Sequence, residues 1–224
     1  RHTAKKVEAL ADGDEMEIAV DGEPAMFVFK TVADPFVGKM SYFKVMNGTV
    51  KRDMLMKNNT TGESEKLAHI YIVSGKKQVE VDELACGDIG MVAKLTNTNT
   101  NDTLTWNKEF SYAPITYPTP YYSRAMIPAS AKDEGKISQS IAKMLEEDLT
   151  LKYENDPETK QMVVSGLGDM HLAVIAAKMK NRFGVTVNFE VPKMAYREKI
   201  TKRADVEGKH KKQNGGSGQY GHVK

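Results

Sequence analysis

The sequence predicts a multidomain chain of class β plus α+β. An all-β domain is expected over residues 1–113, an α+β domain over 114–192 and the truncated start of a third domain over 193–224. Three observations carry this division. Short apolar and β-branched runs fill the first half without a helical period. Three prolines, Pro114, Pro118 and Pro120, then interrupt the chain, and beyond them helix-spaced and strand-spaced patterns alternate. With 224 residues, 40% hydrophobic and 28% charged, the chain has apolar side chains enough for real cores, and wholesale disorder is excluded.

In the first half, Met26-Phe27-Val28-Phe29, Tyr42-Phe43-Lys44-Val45, Ile70-Tyr71-Ile72-Val73 and Gly90-Met91-Val92-Ala93 read as strands. Turn signals separate them at Asp34-Pro35, Asn47-Gly48, Thr61-Gly62, Ser74-Gly75 and Cys86-Gly87-Asp88. Asn47-Gly48 predicts a type I′ hairpin turn, since both residues tolerate positive φ. Gln78 to Asp82 alternates as a strand with one wet face should. Many short strands with regular turns give a small barrel or sandwich.

In the second half, Ile137, Ile141, Met144 and Leu145 recur at helical spacing, and so do Leu172, Ile175, Ala176 and Met179. Strands are expected near residues 121–127, 150–154, 160–165 and 185–191, with Asn155-Asp156-Pro157 turning between two of them. The order βαββαβ is that of the split βαβ, or ferredoxin-like, unit. The proline segment between the two domains, residues 113–120, is the expected hinge, with reorientation concentrated at Ile115 and Thr116.

Residues 193–224 hold nine Lys/Arg against three Asp/Glu, although the whole chain is only +2, so the preceding body is net negative. A basic end on a mildly acidic body suits a polyanion, or a solvated loop. With so few large apolar residues, this segment is expected neither to fold alone nor to pair its amides, and Arg1 in place of methionine predicts a piece of a longer protein.

No chemistry-bearing constellation emerges. The phosphate-cradling pattern G-x-x-x-x-G-K-[ST] does not occur, and Asn107-Lys108-Glu109 is followed by Phe110 where a guanine-reading motif needs Asp. The five histidines lack ligand spacing, and His171 reads as a helix cap or surface contact. The single cysteine, Cys86, excludes an internal disulfide and reads as a small core residue. No apolar run is long enough for a membrane helix. The expectation is no catalytic residue, no metal ligand and no cofactor-binding residue in this stretch. What remains is recognition. Lys209, Lys211, Lys212, Gln213, Gly215, Gly216, Gly218, Gln219 and Tyr220 mix cations, amides, bare backbone and an aromatic ring, which suits ribose-phosphate and unpaired bases.

The string Gln213-Asn214-Gly215-Gly216-Ser217-Gly218-Gln219-Tyr220-Gly221-His222-Val223 resembles the Q-x-G-G-x-G-Q-Y-G-H-V stretch of bacterial elongation factor G. Tyr196-Arg197-Glu198 with Ile200, Gly166-Leu167-Gly168-Asp169-Met170-His171-Leu172, Ala33-Asp34-Pro35-Phe36-Val37-Gly38-Lys39 and Ala85-Cys86-Gly87-Asp88-Ile89 resemble further motifs of that family, in its order. The resemblance covers the chain from about residue 24. It departs at Ser217, where many members carry arginine, and at Asp169-Met170, which replaces a common Glu-Leu pair.

The resemblance implies a β-barrel second domain, a ferredoxin-like third domain and the start of a fourth. It marks Asp34, Pro35, Gly38, Gly87, Asp88, Gly166, Gly168, His171, Tyr196 and Glu198 as structural motif residues, and adds Arg197 to the ribosome-contact candidates. It implies for the whole protein a cytoplasmic, ribosome-dependent GTPase that moves tRNA and mRNA and helps recycle ribosomes. Such a protein uses GTP and Mg2+, with the ribosome as partner, no membrane and a monomeric state. The two domains here would relay motion between a GTPase domain and a ribosome-probing arm. The alternatives are a ribosome-protection factor of the tetracycline-resistance type and a free-standing RNA-binding module.

Overall fold

The computed structural model describes residues 7–34, 36–75, 77–213 and 215–224; Pro35 of the Asp34-Pro35 turn and Asn214 of the glycine-rich string lie outside them. The chain forms two compact units, residues 1–193 and 194–224. The first begins with a hairpin, β1 (Val7–Ala9) and β2 (Glu15–Glu17). The longest strands follow, β3 (Ala25–Asp34) and β4 (Gly38–Asn47), then β5 (Thr49–Lys51), β6 (Leu55–Asn58) and β7 (Ser64–Lys66). β8 (Ile70–Ser74), β9 (Lys77–Val81), β10 (Glu83–Ala85), β11 (Ile89–Ala93) and β12 (Thr103–Thr105) complete the all-β region. Eight of these strands make one curled antiparallel sheet, β7-β6-β12-β3-β4-β11-β8-β9, a half-barrel with β5 and β10 paired separately.

The first strands of this sheet do not alternate in burial, because both of its faces are covered. Met26, Val28, Phe43, Val45, Leu104 and their neighbours fill the inside. Ala25, Phe27, Met46 and Tyr112 pack on the outside beneath Leu10, Met16 and Phe110. Within residues 1–23, which carry no recognised motif, Leu10 and Met16 therefore contribute a lid over the outer face, with Leu10 bridged to Tyr112. Phe27 and Phe110 meet the Tyr112 ring edge-on at 6.5 and 5.3 Å.

Two local expectations are corrected. Asn47-Gly48 is not a type I′ turn. Gly48 has φ 62°, but Asn47 is not among the positive-φ residues and ends β4, while β5 pairs with β10 instead. The buried Asn47 side chain accepts the Ala19 N–H at 2.7 Å and donates to the Glu23 carbonyl at 2.9 Å. A Cβ on Gly48 would sit 2.2 Å from the Gly22 carbonyl oxygen, so the pair marks a close backbone approach. β9 is also not half dry: it is an edge strand, and Val79 is 46% exposed.

The second part of the unit runs β13 (Tyr122–Pro128), α1 (Ala131–Glu147), β14 (Lys152–Asn155), β15 (Met162–Gly166), α2 (Asp169–Lys178) and β16 (Val187–Glu190). This is the expected βαββαβ order, in a sheet β14-β15-β13-β16. α1 buries Ile137, Ser140, Ile141 and Met144; α2 buries Leu172 and Ile175. These join Met126, Val164, Met179 and Val185 in one core. α2 widens into a π-helical segment, Met179–Phe183, which Gly184 ends in the left-handed conformation, φ 65°.

The connection between the two sheets is not free along its length. Ala113 N–H bonds the Ala9 carbonyl at 3.0 Å. The Asn101 side chain then grips Ile115 twice, accepting its N–H and donating to its carbonyl, each at 3.0 Å. Ile115 is thus tied to the half-barrel, and of the segment expected to act as a hinge only residues 116–121 lie between this grip and β13. The expectation that residues 193–224 pair none of their amides is also overturned: β17 (Gly208–Lys212) and β18 (Gln219–Val223) form an antiparallel hairpin.

Candidate nucleic-acid interface

Antiparallel register decides which side chains of the basic hairpin act together, because directly opposed residues share a face. Lys209 opposes His222 and Lys211 opposes Tyr220; on the other face His210 opposes Gly221 and Lys212 opposes Gln219. The structure therefore brings Lys209, Lys211 and Tyr220 together and sets Lys212 and Gln219 behind them. His222, missed among the candidates, completes the first face, with its ring 6.5 Å from Tyr220 and 60° to it. Period-two counting forward from Tyr220 along β18 could have found it. His222 Nε2 also pairs with Glu207.

The glycines explain why the chain reverses here. Gly215 and Gly216 have φ of 63° and 71°, a conformation that L side chains rarely adopt. The turn therefore joins two antiparallel strands instead of following a disordered tail, and it opens no helix. Its amides form no helix N-terminus of the kind that holds a nucleotide phosphate. Gln213 and Gly218 flank this turn, just beyond the paired strands. Every described residue from 193 to 224 is exposed, so this face is open to a polyanion, with a π surface beside two ammonium groups. Tyr196, Arg197 and Glu198 lie in residues 191–207, which contain no helix or strand.

The other motif residues build turns and seams. Asp34 accepts the N–H groups of Phe36 and Val37, both at 2.8 Å, and those bonds, Val37's first, hold its carboxyl below the usual range. Gly38 restarts the strand at φ 89°. Gly87, at φ 95°, donates its N–H to the Val45 carbonyl at 2.8 Å, and Asp88 accepts the Ala85 N–H at 3.0 Å. Cys86, half-buried, directs its thiol at the Met46 carbonyl, and burial pushes its pKa up.

His171, in the first turn of α2, reaches back over the start of its own helix and is not a loose surface group. Its Nδ1 accepts the Leu167 N–H at 3.0 Å, which leaves the ring proton on Nε2 for Asp148 Oδ2 at 2.9 Å. Burial opposes the charge of Asp148. The hydroxyl and amide of Thr150, with His171, outweigh it and hold this carboxyl below its ordinary value. A Cβ on Gly166 would meet His171 Nδ1 at 2.8 Å, which accounts for that glycine. Gly168 precedes α2 with extended backbone and open space around it. Among the described residues, no three His, Cys, Asp or Glu side chains gather as metal ligands, and no helix is long and apolar enough to cross a membrane.

Comparison with known proteins places this geometry. Residues 23–107 match the family model "Elongation factor G domain 2", and residues 117–191 match "Elongation Factor G, domain III". An elongation factor G-like protein of Thermotoga maritima is 40% identical over 218 residues, 96% of this chain and 32% of its own length. An elongation factor G of Thermotoga neapolitana is 39% identical over 217 residues, 96% of this chain and 31% of its own. A crystal structure of a Thermus thermophilus protein superposes with a TM-score of 0.73 at 36% identity, covering 91% of this chain and 31% of that one. The chain thus spans about a third of the length of the relatives it matches. It belongs to the elongation factor G family and carries that family's second and third domains.

Proposed function

We propose that this chain is the central part of a ribosome-dependent translational GTPase that moves tRNA and mRNA and assists ribosome recycling. On this reading the half-barrel and the ferredoxin-like domain relay motion, and the basic hairpin faces RNA. The observation that carries the RNA contact is the register of that hairpin, which gathers Lys209, Lys211, Tyr220 and His222 on one open face. On this reading GTP and Mg2+ are bound by another part of the whole protein. The protein works as a cytoplasmic monomer on the ribosome.

Two measurements test the reading. Fluorescence anisotropy with a labelled single-stranded RNA should show affinity falling log-linearly with salt, and Lys211→Gln should reduce that slope by about 0.7. An unchanged slope in Lys211→Gln would remove the hairpin from the RNA contact. In the whole protein, single-codon movement of mRNA on pre-translocation ribosomes should require GTP; failure to move mRNA would refute the translocase role.

A further inference from the structure

The seam between the half-barrel and the ferredoxin-like domain is gapped. Cavities of about 380 Å3, lined by Asp34, Gly38, Gln139, Ser140 and Phe183 among others, and about 340 Å3, lined by Val32, Phe36, Asn181 and Arg182, open along it. A third, of about 310 Å3, lies between Lys39, Lys94 and Leu95 of the half-barrel and Lys143 and Glu146 of α1. Continuous apolar packing does not hold this seam. Asp34 faces Arg182 and Lys39 faces Glu146 electrostatically across it, and the side-chain hydrogen bond that crosses it among the described residues comes from one carboxylate.

Glu147 ends α1, and its side chain is only 9% exposed. One oxygen accepts the N–H of Ala33 in β3 at 3.2 Å and Arg182 Nη1 at 2.5 Å. The other faces Lys178 Nζ at 3.5 Å. The Ala33 amide is free to be reached because β12, the outer neighbour of β3, pairs only with residues 25–27. Arg182 lies in the π-helical segment after α2. A single nearly buried anion therefore joins the unused edge of a half-barrel strand to two cations of the other domain. An amide and a guanidinium lose their partner together if it leaves.

We infer that Glu147 is a latch: its contacts fix the half-barrel against the ferredoxin-like domain, and opening it frees the two to reorient about residues 116–121. For its purpose the latch rests on the relay reading, but its existence does not, because it is tested without ribosomes. Spin labels on Glu63→Cys, in the turn between β6 and β7, and Lys152→Cys, on edge strand β14, would be placed in a Cys86→Ser background. Their distance distribution should be single and narrow. Glu147→Ala should add a second, longer population. Arg182→Ala, whose side chain is one-third exposed and so tolerates removal, should add the same population in smaller proportion; it decides the matter if Glu147→Ala does not fold. Lys178→Ala, with the longest contact, should change the distribution least. One narrow distance retained in both Glu147→Ala and Arg182→Ala would overturn the latch. If the latch opens in these variants but the labels never move on ribosomes, the relay reading fails and the latch stands.

Discussion

In the half-barrel Met26, Phe43 and Leu104 are fully buried, whereas every described residue of 194–224 is exposed, although both regions are built from antiparallel pairs. The half-barrel strands are held by what their side chains bury on two faces. The hairpin is held by its ladder, two left-handed glycines and exposed contacts such as His222 with Glu207, and an isolated two-stranded hairpin is marginal in water. The contrast separates two tasks. One region must keep its shape; the other must keep its chemistry on the outside.

The largest effect expected from breaking this contrast is at Phe43. Phe43→Ala should destabilise residues 1–193 by about 3–5 kcal/mol in denaturant unfolding, because the ring is fully buried. A loss below about 1 kcal/mol would mean the half-barrel is as lightly held as the hairpin. Next comes His171→Ala, which strands the Leu167 N–H and removes one partner of Asp148. It should cost about 1–3 kcal/mol, and a neutral result would reduce the His171–Asp148 bond to a surface contact.

Acid sharpens the same point. The folded pKa of Asp148 lies below its unfolded value, so its contribution is full above about pH 4 and is lost as pH falls further through the folded value. Asp148→Asn should flatten this part of the pH–stability curve; an unchanged curve would assign the acid sensitivity elsewhere. The smallest effect is expected in the hairpin. Val223→Ala should change stability by less than about 0.5 kcal/mol, and amides of residues 202–224 should exchange rapidly while those of β3 and β4 exchange slowly. Slow exchange in the hairpin would erase the distinction between the two regions.

Much of the fold is legible because apolar periodicity reports packing. Ile137, Ile141 and Met144 are expected on the buried face of one helix, and they lie there. The strand cores fall where aromatic and β-branched runs place them, and the βαββαβ order follows from alternating periods. What escapes is what periodicity does not encode. Asn101 gripping Ile115, and Asp102 holding the buried Asn58 amide at 2.8 Å, are side-chain bonds between residues distant in sequence. Their composition reads only as loop. Asn47-Gly48 misleads because glycine signals two different needs, positive φ and absent bulk, and here a neighbouring carbonyl decides. In the hairpin the cations and Tyr220 are visible. Their division into two faces is not, because it depends on which residue of β18 each residue of β17 meets.

The grip of Asn101 on Ile115 also sets how far the two domains can part. With Ile115 anchored and β13 starting at Tyr122, the tether comprises residues 116–121, about 20 Å at full stretch. So short a leash holds the ferredoxin-like domain at a high effective concentration beside its dock, in the millimolar range or above. Separation then becomes a brief excursion with rapid return, and its lifetime is governed by docking contacts instead of by diffusion.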